Sequence, residues 1–182
     1  LYGDRLGFIA EGLALGRLTP EGYDQVIDKV AAAARRLAER GACAVALMGT
    51  SLSFYRGKGF NEQLVRTMSE AAGVPVTTMS NAIVEALRAV GAARLAVATA
   101  YTEPVNQRLR EFLQDSGFEV LSLQALDLVE VDDVHAVGDD DLMALGRRAG
   151  ASAPGADGLL ISCGGLRTLP VELPLERALG MP

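Results

Sequence analysis

Apolar residues along this chain follow two alternating rhythms, and the alternation predicts the architecture. One is the three-and-four spacing of a helix that buries one face. It is clear in Val26, Val30, Ala33, Ala34 and Leu37, which follow Thr19-Pro20-Glu21 and precede Gly41. A hydroxyl cap, a proline where its missing N–H does no harm, and an acid at the positive helix end mark a start, and glycine marks the stop. The other rhythm is a short unbroken apolar run bounded by glycine or small polar residues, which predicts a buried strand. Such runs occupy residues 42–48, 76–79, 95–99, 118–123 and 159–161.

Between these runs the helical spacing returns. Residues 60–72 carry Leu64, Met68 and Ala71 or Ala72, with Asn61 as a candidate cap and Gly73-Val74-Pro75 as the break. Ser80 or Asn81 is the candidate cap of a helix carrying Ile83, Leu87 and Val90, stopped by Gly91. Helices are further expected over about 103–115, after caps at Asp139 to Asp141 (with Leu142, Leu145 and Ala149), and over 171–179. Residues 1–18 have no long helical stripe and are expected to form a loop or short helix over a cavity. Residues 126–138 alternate apolar and acidic side chains and are expected to be a mobile flap, while 150–157 is a loop.

Strands alternating with helices imply parallel β-α units, because parallel strands need crossovers. The fold class is therefore α/β, expected as two pseudo-symmetric lobes with parallel sheets flanked by helices and an active site in the cleft between them. The lobes are placed at 1–91 and 92–170, with 171–182 a helix returning to the first lobe. Ligands of such sheets sit outside the carboxyl ends of strands. Three ends qualify: Gly49-Thr50-Ser51, Thr99-Ala100-Tyr101-Thr102 and Cys163-Gly164-Gly165. There is also an internal echo. Strand, Gly49-Thr50-Ser51, helix and Gly73-Val74-Pro75 are repeated as strand, Cys163-Gly164-Gly165, helix and Gly180-Met181-Pro182. Related by an approximate two-fold, the two arms would set Gly49 opposite Cys163, so that a reagent between them meets one thiol. The echo also predicts a strand after Pro182, and the chain opens on Leu1, so terminal segments of a longer natural protein are expected.

Composition narrows the function classes. With 182 residues and 49% hydrophobic content the chain can bury a sizeable core. A net charge of -6 argues against a general nucleic-acid binder, which needs a basic face. No apolar run is long enough to span a bilayer and no basic-then-apolar export leader opens the sequence, so a cytoplasmic address is expected. The two cysteines, Cys43 and Cys163, are far apart and suggest no disulfide framework. The single histidine, His135, has no cluster of ligand-forming neighbours for a metal and no nucleophile elbow to serve. It is expected at the surface or on a lid. Cys163 is either a small buried residue beside a turn or a reactive thiol whose glycines let backbone N–H groups approach an anion.

The stretches Gly16–Asp24, Leu47–Gly57, Ala98–Tyr101 and Ser162–Leu166, taken together, resemble the arylmalonate decarboxylase family of the aspartate/glutamate racemase superfamily. The resemblance runs over nearly the whole chain. It implies cofactor-free removal of carbon dioxide from a disubstituted arylmalonate to give a chiral 2-arylpropionate, with a small aryl malonate or related carboxylate as partner and no nucleic acid or membrane. It assigns Thr50, Ser51, Tyr101 and Gly164 to a dioxyanion hole and Cys163 to proton delivery on one face. Pocket-lining positions carried over are Leu15, Leu18, Tyr23, Gly49, Leu52, Val131, Val134 and Gly165. The chemistry is consistent: a carbanion is tolerable only if its charge spreads into the remaining carboxylate, and fixed donors aimed at those oxygens lower the barrier. Thr50 and Ser51 could equally cap a helix, Tyr101 could be a core aromatic, and the aliphatic residues ordinary core. The rivals are a racemase or cis-trans isomerase of the same superfamily, which would need a thiol at Gly49, and a non-catalytic aryl-carboxylate-binding module. A redox switch at Cys163 lacks a resolving cysteine. Oligomeric state, physiological substrate and product handedness stay open.

Overall fold

The structure is a computed structural model that describes residues 5–182. The part of the N-terminal expectation that falls on residues 1–4 lies outside the described residues. Residues 5–18 form no helix, and Ile9, Leu13 and Leu15 lie over apolar cavities.

Thr19 caps α1 (Pro20–Ile27) by accepting the N–H of Gly22 at 3.2 Å. The helix predicted to continue to Gly41 is instead two, α1 and α2 (Val30–Glu39). The N–H of Lys29 reaches back only to the carbonyl of Val26, at 3.0 Å, and this tight turn lets Ile27 and Val30 both be buried. β1 (Val45–Leu47) follows, shorter than the predicted run. At its end α3 (Thr50–Phe54) begins after an extended Gly49, and all five of its residues are buried; Thr50 and Ser51, read as a strand end or as helix caps, lie inside the helix. Thr-Ser-Leu-Ser is a weak helix sequence, and tertiary burial overrides it.

Gly57 at φ +86° turns the chain into α4 (Lys58–Ala72). Asn61 therefore lies inside that helix and does not cap it. Its amide oxygen accepts from the Thr78 hydroxyl at 2.8 Å and its NH2 donates to Asn81 at 2.6 Å. After β2 (Val76–Thr78), α5 (Met79–Ala89) is capped by Thr78, whose hydroxyl accepts the Asn81 N–H; neither Ser80 nor Asn81 is the cap. β3 (Arg94–Thr99), α6 (Glu103–Asp115) and β4 (Glu119–Ala125) follow the predicted order. The flap segment contains a short helix, α7 (Val131–His135). Next comes α8 (Asp139–Ala151), whose cap position is Gly138, with Asp139 to Asp141 in its first turn facing the positive end of the dipole. β5 (Gly158–Ser162) and α9 (Glu172–Leu179) complete the chain.

All strand pairing is parallel. β1 pairs with β2, and a second sheet has the order β4-β3-β5. This is the α/β fold of parallel sheets flanked by helices that the alternating pattern implied. β3 is the central strand, buried from Leu95 to Thr99. Thr99 stands beside Ser162 in register, so the chains leaving β3 and β5 carry Tyr101 and Cys163 out from adjacent ends.

The internal echo has a geometric counterpart. Gly73 and Gly180 both end their helices in the left-handed region, at φ +67° and +69°. The N–H of Val45 bonds the carbonyl of Pro75 at 2.9 Å, and the N–H of Leu159 bonds that of Pro182 at 2.7 Å. Counting from those two residues, Gly49 and Cys163 occupy equivalent places.

Candidate active site

The ends of β1 and β5 approach each other closely. A Cβ on Gly164 would stand 3.2 Å from the carbonyl oxygen of Met48 and 3.7 Å from the Thr50 hydroxyl. A Cβ on Gly165 would meet Val134 at 3.0 Å and His135 at 3.4 Å. Both glycines are thus where they are because side chains would hold the two strand ends and α7 apart.

Between them lies a cavity of about 240 Å³. Of the residues singled out from the sequence, Leu15, Leu18, Gly49, Thr50, Ser51, Val131, Val134, Cys163, Gly164 and Gly165 line it. Tyr23 and Tyr101 stand behind this lining, both fully buried. Leu52 lines a neighbouring apolar cavity of about 340 Å³, which shares Leu15, Met48 and Gly49 with the first. Two lining residues were not singled out, Met48 and His135. Met48 lies within the stretch Leu47–Gly57 that carries the family resemblance. His135 was expected at the surface or on a lid, and it is exposed on α7 while also lining the cavity, a contact that nothing in the sequence foretold.

The thiol of Cys163 is half-buried. Burial pushes its pKa up, opposed by the N–H of Gly165, the hydroxyl of Tyr101 and the N–H of Leu166, and the net displacement is upward. The group is accordingly a thiol at neutral pH. Burial likewise raises the phenols of Tyr101 and Tyr23, and the nearby Cys163 adds to both displacements. The Tyr101 hydroxyl shares a long 3.5 Å hydrogen bond with Ser162. The Tyr23 hydroxyl sits beside Ser51, and yet neither it nor the hydroxyl of Thr50 has a complete hydrogen bond to any partner, although both are buried. Leaving such a group unpaired costs about 1–3 kcal/mol. Orphaned hydroxyls gathered beside one thiol are what a site for a carboxylate would contain before the carboxylate arrives.

Other hydroxyls and amides hold this constellation in place. The Ser53 hydroxyl donates to the Thr50 carbonyl at 2.8 Å and shares a 2.7 Å hydrogen bond with Ser80. Thr99 donates to Asn106 at 2.7 Å, and Asn106 donates to the Tyr101 carbonyl at 2.9 Å, fixing the turn that presents the phenol. The cavity roof is closed by two backbone hydrogen bonds between the entry loop and the flap: Leu18 N–H to Val129 at 2.8 Å, and Val131 N–H to Gly16 at 3.2 Å. Arg17 and Glu130 add an exposed ion pair at 3.1 Å. A Cβ on Gly22 would strike the Arg17 carbonyl, so this loop also rests directly on α1. Leu15, Leu18, Val131 and Val134 make the roof side aliphatic, while neutral donors line the floor. Among the described residues no group of three or more His, Cys, Asp or Glu side chains is placed to hold a metal ion.

Comparison with known proteins shows what the chain as a whole is similar to. A family model described as arylmalonate decarboxylase matches residues 1–182. The arylmalonate decarboxylase of Bordetella bronchiseptica is 50% identical over 182 residues, which is 100% of this chain and 75% of that protein. A crystal structure of a glycine-to-cysteine, cysteine-to-serine double mutant of arylmalonate decarboxylase in a liganded form superposes with a TM-score of 0.97 at 48% identity, covering 98% of this chain and 76% of the other. A Nocardia farcinica maleate cis-trans isomerase shares the fold, with a TM-score of 0.91 at 21% identity over 97% of this chain and 74% of its own.

Proposed function

This chain belongs to the arylmalonate decarboxylase family, and from that premise we propose that it removes carbon dioxide from disubstituted arylmalonates without a cofactor, giving chiral 2-arylpropionates. The observation that carries the reading is the buried, unpartnered hydroxyl of Thr50, which lines one cavity with the single thiol of Cys163. In this reading one carboxylate of the substrate is held by Thr50, Ser51, Tyr101 and the backbone N–H groups of the Gly164 turn. The other faces Leu15, Leu18, Val131 and Val134, where it is poorly solvated and leaves as neutral carbon dioxide.

The electron balance is simple. The pair in the breaking C–C bond moves into the retained carboxylate, forming an enediolate whose two oxygens meet fixed donors. Cys163 then gives its proton to the former carbanion carbon, and the resulting thiolate recovers a proton from water. The sum is one proton consumed for each malonate dianion converted to a monoanion and carbon dioxide. The upward displacement of the Cys163 pKa suits this role, since only the thiol can donate. The placement of Gly49 opposite it leaves the other face without a proton carrier. That argues against a racemase or isomerase, which needs carriers on both faces, and a mere binding module would have no use for the thiol. Two lobes at 1–91 and 92–170 and a cytoplasmic address belong to the same reading; residues 171–182, expected to return to the first lobe, instead pack on α8, with Pro182 bonded to the start of β5.

The test is incubation with phenylmalonate and its α-methyl derivative, following carbon dioxide and product chirality. From the α-methyl derivative one enantiomer is expected, phenylmalonate giving achiral phenylacetate, with Cys163→Ser slower on both by about 10²–10⁴-fold, the usual worth of a placed general acid. Absence of carbon dioxide release, or racemisation of 2-phenylpropionate by the unsubstituted protein, would overturn the reading.

A further inference from the structure

Asn106 is buried in the first turn of α6, a setting in which asparagine has no advantage as a helix former. A buried amide is tolerable only when its polar atoms are bonded. Here both ends of the amide are used on one short stretch, the turn that leaves β3. The oxygen accepts from the Thr99 hydroxyl at 2.7 Å and the NH2 donates to the Tyr101 carbonyl at 2.9 Å, while the Thr99 hydroxyl accepts the Tyr101 N–H at 3.3 Å. The bond from Asn106 is the shortest of those made by Tyr101, whose own hydroxyl reaches Ser162 only at 3.5 Å. The neighbouring carbonyls of Thr99 and Ala100 accept from Leu126 and Leu128, and the Tyr101 ring packs edge-to-face on Phe54 with centroids 5.8 Å apart. With the ring packed in this way, the aim of the phenol is set by where the Tyr101 backbone is held.

We propose that Asn106 is a positioning residue for the decarboxylation, holding the Tyr101 backbone so that the phenol O–H meets the oxygen that gains charge in the enediolate. This rests on the decarboxylation reading above, in which Tyr101 is one of the donors to the retained carboxylate. Asn106 is not among the residues lining the cavity, and it acts only through Tyr101. The clamp needs an acceptor toward Thr99 and a donor toward Tyr101 on one planar group, which an amide supplies and a carboxylate or aliphatic side chain does not. Hydrogen bonds to the enediolate oxygen strengthen as its charge grows, so losing their aim lowers kcat more than it raises KM.

The experiment measures phenylmalonate turnover with Asn106→Leu and Asn106→Ala, each made with Tyr101 in place and with Tyr101→Phe. Both substitutions are uncharged, and the smaller alanine carries the test if urea unfolding shows that leucine prevents folding. With Tyr101 in place kcat should fall about 10- to 100-fold, the cost of a small misplacement beside the reacting atoms. With Tyr101→Phe there is no hydroxyl to aim, and any further loss should stay within about 2-fold, the scatter of such cycles. A merely structural role would cost the same in both backgrounds. Ser122→Ala is the control: it removes a buried 2.8 Å hydrogen bond to the Ala149 carbonyl, between β4 and α8, and should lower the urea midpoint without lowering kcat. An unchanged kcat in the Asn106 variants, or a further loss beyond about 2-fold with Tyr101→Phe, would overturn the proposal. The same cycle is read without turnover as calorimetric affinity for phenylacetate, which should weaken at least about 3-fold with Tyr101 in place and not with Tyr101→Phe. Failure of the unsubstituted protein to release carbon dioxide would instead sink the decarboxylation reading. The phenylacetate cycle would still decide whether Asn106 aims Tyr101, and an affinity indifferent to Asn106 would reject it.

Discussion

The backbone of Gly164 lies against the hydroxyl of Thr50: a methyl group added to the glycine would come to 3.7 Å from that oxygen and 3.2 Å from the carbonyl of Met48. This approach joins the end of β5 to the end of β1. It sets the thiol that follows one strand beside the hydroxyl that follows the other.

Gly164→Ala tests how much the site depends on that closeness. The Met48 carbonyl is backbone and yields only if β1 shifts, so overpacking should cost about 1–3 kcal/mol of stability. The proposed activity should fall at least about 10-fold, because a small displacement of positioned groups is expensive in rate. Urea unfolding and kcat/KM for phenylmalonate measure the two effects, and an alanine variant unchanged in both would show the strand ends to be looser than the geometry implies.

Thr50→Val separates activity from stability. Valine keeps the β-branched shape while removing a buried hydroxyl that has no partner. Stability should hold or rise by about 1 kcal/mol, roughly 2–4 °C in Tm for a chain of this size. Turnover should drop by roughly 10²–10³-fold if the hydroxyl serves the enediolate as an oxyanion donor does. A variant that is destabilised and yet fully active would assign Thr50 to structure alone.

Alkaline pH should weaken the fold through three groups. Cys163, Tyr101 and Tyr23 all have folded-state pKa values above their ordinary ones, chiefly because burial disfavours the ionised forms. A raised folded value means the stabilisation is complete below the unfolded pKa and is lost as pH climbs toward the folded one. Urea midpoints should therefore be level to about pH 8, then decline, first through the thiol and then, above about pH 10, through the phenols. Cys163→Ser should remove the earlier part of the decline and Tyr101→Phe part of the later one. A midpoint unchanged from pH 8 to 11 would contradict this account.

The exposed ion pair of Arg17 and Glu130 deserves less weight than its position on the roof suggests. Its side chains are 64% and 51% exposed, a setting in which such pairs contribute little. The roof is held instead by the backbone hydrogen bonds of Leu18 and Val131.

The alternation of apolar runs with helical spacing was enough to read the α/β class, the parallel strands and the three strand ends around which the candidate site is built. Those features are local, since a buried strand must be apolar throughout and a tight turn at its end must use small residues. The stretches Gly16–Asp24, Leu47–Gly57, Ala98–Tyr101 and Ser162–Leu166 then pointed to the family. Caps and breaks were less legible, because several side chains can compete for the same N–H. Thr78 rather than Ser80 or Asn81 caps α5, and Asn61 spends its amide on Thr78 and Asn81. Only tertiary structure decided that Thr50–Phe54 would be helical, that residues 16–18 would bond to 129–131, and that His135 on α7 would line the cavity. Each of these depends on which surfaces meet across more than a hundred residues or on burial that outweighs intrinsic preference, and neither quantity is written in the spacing of neighbours along the chain.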